Sequence, residues 1–182
     1  MITLISGTNR EGSRSLQLTR HLQTVYKAQG ADVKVLDLAQ LPADLIRPTV
    51  YGDKPESFQK DFIQPVLDSS GLHLVVAEYN GSFPGILKYF IDLLPFPESF
   101  DGRPVAFTGV AAGQFGALRA VEQLQQVFGY RNAYLFPRRV FIPASYENLD
   151  GEGKPKSEDL AQRLEEQVRA FQVYIQKLRS DS

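Results

Sequence analysis

The chain of 182 residues is long enough to form one domain with a substantial core, and too short for two domains to be expected. Hydrophobic residues make up 43% and charged residues 23%, proportions that are typical of a soluble globular protein. The 20 basic residues nearly balance the 21 acidic ones, so the composition argues against nucleic-acid binding. We therefore expect a single domain over residues 1–182.

The absence of cysteine excludes disulfides, thiolate catalysis and cysteine metal sites. The two imidazoles, His21 and His73, fall on a predicted helix and at the start of a predicted strand, so we expect neither to bind a metal. No run approaches about 18 apolar residues, and no signal-peptide pattern opens the chain. These features predict a cytoplasmic protein with no membrane partner.

The chain opens with a predicted strand, a polar loop and a helix. Residues 1–5 are mostly apolar, whereas residues 6–15 hold two glycines, four hydroxyls, an amide and two arginines. Helical spacing begins at Leu18, and Ser13 or Ser15 is a suitable N-cap. This arrangement points backbone N–H groups and a helix dipole at a phosphate. The alternative is an ordinary polar turn between a strand and a helix.

The residues that this loop lacks narrow the choice of ligand. Its glycine spacing is close to that of the Walker motif, but Ser13 stands where that motif has the lysine that reaches the β- and γ-phosphates. The dinucleotide pattern G-x-G-x-x-G is also missing. Hydroxyls with one or two arginines suit a single phosphate monoester better than a nucleoside triphosphate.

Strand and helix patterns alternate along the rest of the chain. We predict strands at 32–38, 72–77, 103–110 and 134–142, the last of them interrupted by Pro137. We predict helices at 56–67 with a kink or break near Gln64, from Pro84 onward, at 117–128 up to Gly129, and from Ser157 onward. Residues 41–55 read as irregular. This alternation predicts an α/β fold, a three-layer doubly wound sandwich with a parallel sheet covered on both faces.

Two further loops follow predicted strands, at 78–85 and 109–116. Because the carboxyl ends of parallel strands share one edge, the three loops converge there, where such sheets bind ligands. Tyr79 offers a flat ring flanked by an amide and a carboxylate, and the third loop offers exposed backbone. A phosphate-binding loop beside a flat cleft lined with hydrogen-bonding groups is the kind of site that flavin mononucleotide (FMN) requires. Alternatively, Tyr79 and Phe83 anchor their loop and Asn80-Gly81 is only a turn.

Three segments resemble the NADPH-dependent FMN reductase family. G-T-N-R-E-G-S-R-S is similar to its phosphate motif G-S-x-R-x-x-S-x-N, and A-E-Y-N-G-S-F-P-G-I-L-K-Y-F-I-D to P-E-Y-N-x-S-x-P-G-x-L-K-N-x-I-D. A-G-Q-F-G-A-L-R resembles the flavin-facing glycine loop of the family. The resemblance runs from residue 1 to about residue 128. The chain departs from the pattern at Ala77, Tyr89, Thr8 and Ser15, of which the last two keep a hydroxyl.

The resemblance implies a flavodoxin-like five-stranded parallel sheet in the order 2-1-3-4-5. It implies an FMN cofactor with NADPH or NADH as the hydride donor, a small-molecule electron acceptor, and no catalytic side chain. It also implies a homodimer or homotetramer, with the helices after Pro84 and Gly116 as candidates for the contact. Matching the motifs of the family position by position implies that the phosphate is held by Thr8, Arg10, Ser13 and Ser15. The ring is bordered by Glu78, Tyr79, Asn80 and Gly81 on one side and by Gly113 and Gly116 on the other.

Together these observations predict an FMN-containing NAD(P)H oxidoreductase that passes electrons to flavin, a quinone, an azo compound or a metal oxyanion. One alternative is a non-enzymatic, flavodoxin-like FMN electron carrier, although a net charge of −1 lacks the strong acidity expected of one. A binding protein for a sugar phosphate or mononucleotide is another, but it leaves the second segment unexplained. Preference for NADPH would need a basic partner for the 2′-phosphate, and Arg14, Arg47, Arg119 and Lys88 are the candidates.

Overall fold

The computed structural model describes residues 1–46 and 52–180, with the backbone alone at residue 46. The sheet is built from six strands: β1 Ile2–Ser6, β2 Val33–Asp37, β3 Leu72–Ala77, β4 Pro104–Val110, β5 Tyr134–Leu135 and β6 Val140–Ile142. All of their pairings are parallel, in the order β2-β1-β3-β4-β5, and β6 also pairs with β4. The predicted α/β architecture and strand order are confirmed.

The edge of the sheet beyond β4 differs from the five-stranded expectation. The segment predicted as one interrupted strand forms two short strands, β5 and β6, that pair with opposite ends of β4. Pro137 lies between them and has no N–H to donate to the ladder. The chain therefore leaves the sheet after Phe136, whose N–H donates to the Val105 carbonyl at 2.8 Å, and rejoins it at Val140.

Within the described ranges, seven α-helical segments accompany the strands: α1 Arg14–Ala28, α2 Glu56–Phe58, α3 Gln64–Leu67, α4 Gly85–Leu93, α5 Leu118–Tyr130, α6 Ser145–Asn148 and α7 Glu158–Ser180. Single 3-10 turns occupy Leu38–Gln40, directly after β2, and Ala43–Ile46, which lies in the region predicted to be irregular. As predicted, Ser157 caps α7, and its hydroxyl accepts from the Leu160 N–H at 3.3 Å. No helix in the described ranges has the length and apolar character needed to span a bilayer.

Two hydrophobic cores cover the two faces of the sheet. On one face, Leu74 of β3 packs with Phe90 of α4 and Leu124 of α5. On the other, Val75 of β3 packs with Leu22 of α1 and Leu164 of α7. Because successive residues of a strand point to opposite faces, β3 is buried along its whole length, as its apolar run predicts.

The helical stretch that contains Pro65 has no break at Gln64. Instead, a π-helical turn at Gln59–Ile63 joins α2 to α3. Proline has no N–H to donate to the carbonyl four residues earlier, here that of Asp61, and the wider turn accommodates this loss. Two other boundaries differ by one residue: Pro84 caps α4 rather than opening it, and α5 continues past Gly129 to Tyr130.

Candidate functional site

The three loops singled out from the sequence meet at one edge of the sheet. They follow β1, β3 and β4, which lie side by side in the centre of the sheet. The predicted convergence at the carboxyl ends of these strands is thus present, at the place where open α/β sheets bind their ligands.

The first loop ends at the N-terminus of α1. Ser13 is the N-cap, and its hydroxyl accepts from the Leu16 N–H at 3.2 Å. In the described part of the chain, the N–H groups of Arg14 and Ser15 have no hydrogen-bond acceptor. These groups and the positive end of a 15-residue helix face the loop, which is a favourable environment for an anion.

Two arginines of this loop meet a tyrosine that follows β6. Arg10 donates from Nη2 to the Tyr146 hydroxyl at 3.3 Å, and the Arg14 guanidinium lies 4.8 Å from the centroid of the same ring. The Arg10 guanidinium lowers the pKa of Tyr146, and the same hydrogen bond raises the pKa of Arg10. Among the described residues, neither arginine forms an ion pair with a carboxylate, so their charge is available to an incoming anion.

Thr8 links the first loop to the second. It is fully buried, and its hydroxyl lies 2.7 Å from the hydroxyl of Tyr79 while also accepting from the Arg10 N–H at 3.3 Å. Thr8, which was predicted to bind the phosphate, therefore already has two hydrogen-bond partners within the protein. Through this contact Thr8 fixes the position of the Tyr79 ring, which stays partly exposed.

The second loop contains a tight turn. Tyr79 and Ser82 exchange two backbone hydrogen bonds, and the residues between them, Asn80 and Gly81, have φ angles of 52° and 76°. Positive φ at both central positions is the mark of a type I′ turn, for which Asn-Gly is a favoured pair. The turn leaves the Asn80 and Gly81 N–H groups without an acceptor in the described ranges, so it presents donors to a ligand.

Glu78 precedes this turn and faces the third loop. Its Oε1 accepts from Arg119 Nη1 at 3.3 Å, and the Arg119 guanidinium lies 4.6 Å from the centroid of the Phe115 ring. Glu78 Oε2 is buried and has no hydrogen-bond partner among the described residues. A buried carboxylate oxygen without a donor is costly, so this atom is suited to accept from a ligand N–H or O–H.

The two glycines predicted in the third loop have different environments. A Cβ at Gly113 would meet nothing within 4 Å, so a planar ligand has room to lie against this backbone. Gly116 has a φ of +56°, and a Cβ there would come within 2.8 Å of the Ile142 nitrogen. Gly116 is therefore required by the close approach of the loop to β6.

These loops enclose two adjoining clefts. The polar cleft, of about 260 Å³, is lined on the phosphate side by Arg10, Ser13, Arg14, Ser15 and Tyr146. The ring cleft, of about 380 Å³, is lined by Asn80, Gly81, Gly113, Gln114, Phe115, Gly116 and Arg119. Both clefts share the wall formed by Glu78, Ala111 and Ala112.

Nine of the ten predicted site residues line these clefts. The tenth, Thr8, contacts the lining residue Tyr79 through its hydroxyl. Ser145 and Tyr146 were missed by the sequence interpretation, because they follow β6, which was not predicted as a separate strand. Phe115 and Arg119 lie within or beside the third motif, but nothing in their spacing indicated a shared cation–π contact. Across the described ranges, no group of three or more metal-ligating side chains is present.

Comparisons with known proteins agree with this geometry. The family model for NADPH-dependent FMN reductases matches residues 1–148. An NAD(P)H-dependent FMN reductase of Pseudomonas aeruginosa is 28% identical over 179 residues, which cover 96% of this chain and 95% of that protein. A 2-hydroxy-1,4-benzoquinone reductase of a Burkholderia species is 28% identical over 182 residues, covering 98% and 97% respectively.

A solved structure is similar over nearly its whole length. The flavoenzyme FerB of Paracoccus denitrificans, an NAD(P)H:(acceptor) oxidoreductase, superposes with a TM-score of 0.80 at 26% identity. The superposition covers 97% of each chain. The predicted FMN cofactor, NAD(P)H dependence and oxidoreductase class are thereby confirmed, and the chain belongs to the NADPH-dependent FMN reductase family.

Proposed function

We propose that this FMN-dependent NAD(P)H oxidoreductase delivers its electrons to quinones. The acceptor is supported by the relative from Burkholderia, which is named for the reduction of a hydroxybenzoquinone and aligns with 98% of this chain. The ring cleft supports it as well, because the partly exposed Phe115 and the adjacent Gly113 backbone offer a flat, open surface on which an aromatic acceptor can stack.

The observation that carries the proposal is the junction of the two clefts. The polar cleft combines two arginines that have no carboxylate partner among the described residues, two serines and a helix N-terminus, which suits the FMN phosphate. The ring cleft combines backbone donors at Asn80 and Gly81 with an unhindered face at Gly113, which suits the isoalloxazine. Glu78 Oε2 lies between the clefts without a hydrogen-bond partner in the described part of the chain, so it fits a hydroxyl or N–H of the same cofactor.

The roles of individual residues follow from this placement. Arg10, Ser13 and Ser15 bind the phosphate, and Thr8 orders their loop by holding both Tyr79 and the Arg10 N–H. Asn80, Gly81 and Gly113 border the ring through their backbone, with Glu78 and Tyr79 beside it and Gly116 keeping the third loop close to β6.

A bound FMN would supply the hydride and electron transfer chemistry between NAD(P)H and the acceptor. The chain itself contributes position and environment. Of the described residues that line the ring cleft, the titratable ones are Glu78 and Arg119, and they bind each other at 3.3 Å. This pairing supports the expectation that the protein uses no side chain as a general acid or base.

The candidates for the 2′-phosphate of NADPH differ in what they already contact. Lys88 is paired with Asp92 at 2.7 Å, and Arg14 donates to Gln17 and to the Asp150 carbonyl. Arg119 is also paired, but with Glu78 at the longer distance of 3.3 Å; it is half exposed and borders the ring cleft, which supports it as the 2′-phosphate contact. Arg47 lies outside the described residues.

We further propose that residues 1–182 form one FMN-binding domain that assembles as a homodimer or homotetramer through α4 and α5. Exposed aromatic side chains stand where these helices end: Phe96 follows α4, and Tyr130 is the last residue of α5. Arg131 lies over both rings, at 4.3 Å and 5.5 Å from their centroids. Aromatic and arginine side chains are enriched in protein interfaces. The need for NAD(P)H agrees with the cytoplasmic location predicted from the sequence.

Anaerobic acceptor kinetics test the quinone proposal. The FMN-loaded protein is first reduced with NADPH and then mixed with 1,4-benzoquinone, 2-hydroxy-1,4-benzoquinone, free FMN or an azo dye. We expect the quinones to reoxidise the bound flavin at least about tenfold faster than the other acceptors. Equal or slower reoxidation by both quinones would contradict the proposal. A protein that neither NADPH nor NADH reduces would instead behave as an electron carrier.

A further inference from the structure

We propose that Tyr146 straps the phosphate end of the FMN site and donates a hydrogen bond to the phosphate, so that it determines preference for FMN over riboflavin. This inference rests on the proposed placement of FMN. It concerns a residue outside the three motifs, contributed by the segment that follows β6.

The strap, residues 144–150, begins at the third loop. The Ala144 N–H donates to the Gly113 carbonyl at 3.3 Å, and the Ser145 N–H donates to the Ala111 carbonyl at 3.0 Å. Ala144 itself has a φ of 43°, a conformation that L-residues other than glycine rarely adopt. The start of the strap is therefore held against the backbone that borders both clefts.

The far end of the strap is tied to the first loop. Arg14 Nη1 donates to the Asp150 carbonyl at 2.5 Å, and residues 10 and 146 are joined by the hydrogen bond between their side chains. The strap thus runs from the ring side of the site to the phosphate side. Tyr146 lines the polar cleft together with Ser13 and Ser15.

Tyr146 is held in this position by polar contacts more than by burial. Its side chain is 54% exposed, so little packing energy fixes the ring. Its contacts are instead the Arg10 guanidinium at the hydroxyl and the Arg14 guanidinium over the ring face. Two cations from one loop on one tyrosine, without carboxylate partners in the described ranges, form a surface prepared for an oxyanion.

The hydroxyl has one donor and two acceptor sites. In this structure it accepts from Arg10, which leaves its own O–H available to a phosphate oxygen. Arg10 also lowers the pKa of Tyr146, and a more acidic phenol donates a stronger hydrogen bond to an anion. Arg10 and Tyr146 can therefore bind the phosphate together, each keeping its contact with the other.

Flavin selectivity tests the role of Tyr146, because riboflavin shares the ring and ribityl chain of FMN but has no phosphate. The dissociation constants of FMN and riboflavin are measured on apoprotein by quenching of flavin fluorescence. For Tyr146→Phe we expect FMN binding to weaken by about tenfold and riboflavin binding to change by less than about twofold. Tyr146→Ala, which also removes the ring beneath Arg14, should weaken FMN binding further.

The matched control is Tyr134→Phe, which removes an exposed hydroxyl on β5, outside both clefts, and should change neither constant. Unchanged FMN affinity in Tyr146→Phe would overturn the inference, as would an equal loss for FMN and riboflavin. If wild-type protein binds both flavins equally, the proposed phosphate placement itself is wrong. If wild type prefers FMN over riboflavin and Tyr146→Phe keeps that preference, the role of Tyr146 is contradicted while the phosphate placement stands.

Discussion

The Tyr26 hydroxyl and His73 Nδ1 lie 2.8 Å apart in the fully buried core between α1 and β3. They begin a chain of hydrogen bonds, because His73 Nε2 contacts the Thr108 hydroxyl and that hydroxyl contacts Gln167 Oε1, each at 2.8 Å. Gln167 Nε2 donates to two carbonyls, so its oxygen must accept from Thr108. Thr108 then accepts from His73 Nε2–H, and Nδ1 accepts from Tyr26.

This proton arrangement makes stability depend on pH. Burial lowers the pKa of His73 from 6.5 to about 3, so the folded protein stays neutral there while the unfolded chain binds a proton below pH 6.5. The free energy of unfolding should therefore fall as pH decreases from 6.5, by up to about 1.4 kcal/mol per pH unit, and be independent of His73 above that pH.

Urea unfolding between pH 5 and pH 7.5 measures this slope. In His73→Gln, whose amide can accept from Tyr26 and donate to Thr108, most of the slope below pH 6.5 should disappear. His21→Gln is the control: burial also lowers the pKa of His21, but this residue is only partly buried, so most of the slope should remain. A slope unchanged by His73→Gln would show that this histidine is not responsible.

Arg10 should contribute to FMN binding through the phosphate. Its guanidinium reaches the polar cleft without a carboxylate partner among the described residues. A charge-assisted hydrogen bond of roughly 1.5–3 kcal/mol corresponds to a loss of about ten- to a hundredfold in FMN affinity for Arg10→Ala. Isothermal titration of apoprotein should show this loss with FMN and little change with riboflavin. Arg20→Ala, on an exposed part of α1, is the control, and an equal effect from it would contradict the assignment.

Unlike Arg10→Ala, a substitution at Gly113 should weaken the binding of FMN and riboflavin alike. A methyl group there meets nothing within 4 Å among the residues that the structure describes, so Gly113→Ala should fold normally. If the isoalloxazine lies against this backbone, the methyl group displaces it, and both FMN and riboflavin should bind at least about threefold more weakly. Gly151→Ala, at an equally open glycine outside the ring cleft, should bind both flavins as wild type does. Normal flavin binding by Gly113→Ala would show that the isoalloxazine does not lie against this backbone.

Assembly through α4 and α5 predicts a dependence on Phe96 and Tyr130. Replacing both with Asp places charges where aromatic side chains would be buried between subunits, and the molar mass from light scattering should fall toward that of one chain. The control is Val173→Asp, which changes an exposed apolar residue of α7 on the opposite face of the sheet. An unchanged mass in the Phe96 and Tyr130 double variant would exclude this contact.

Much of this fold was predictable because local patterns and tertiary structure agree. The apolar run at 72–77 becomes a strand buried on both faces, and the polar loop before α1 has Ser13 as the cap that its position suggested. The strand order, in contrast, came from the resemblance to a family, since alternation alone does not order strands in a sheet.

The remainder depended on contacts that sequence spacing does not encode. Arg10 and Tyr146 are 136 residues apart, and a tyrosine in a polar segment carries no motif. Thr8 has a hydroxyl that suits a phosphate, but its burial against Tyr79 is a property of the folded loops. Gly116 matched a flavin-facing motif, while its φ and its contact with Ile142 show a packing requirement.

We expect the two adjoining clefts to hold one FMN, which NAD(P)H reduces. The most direct measurement is a visible absorption spectrum of the purified protein loaded with FMN, followed by anaerobic addition of NADPH in a stopped-flow instrument. We expect a bound-flavin spectrum that bleaches within the time of one catalytic turnover. Protein that binds no flavin after incubation with FMN, or bound flavin that stays oxidised with both NADPH and NADH, would contradict it.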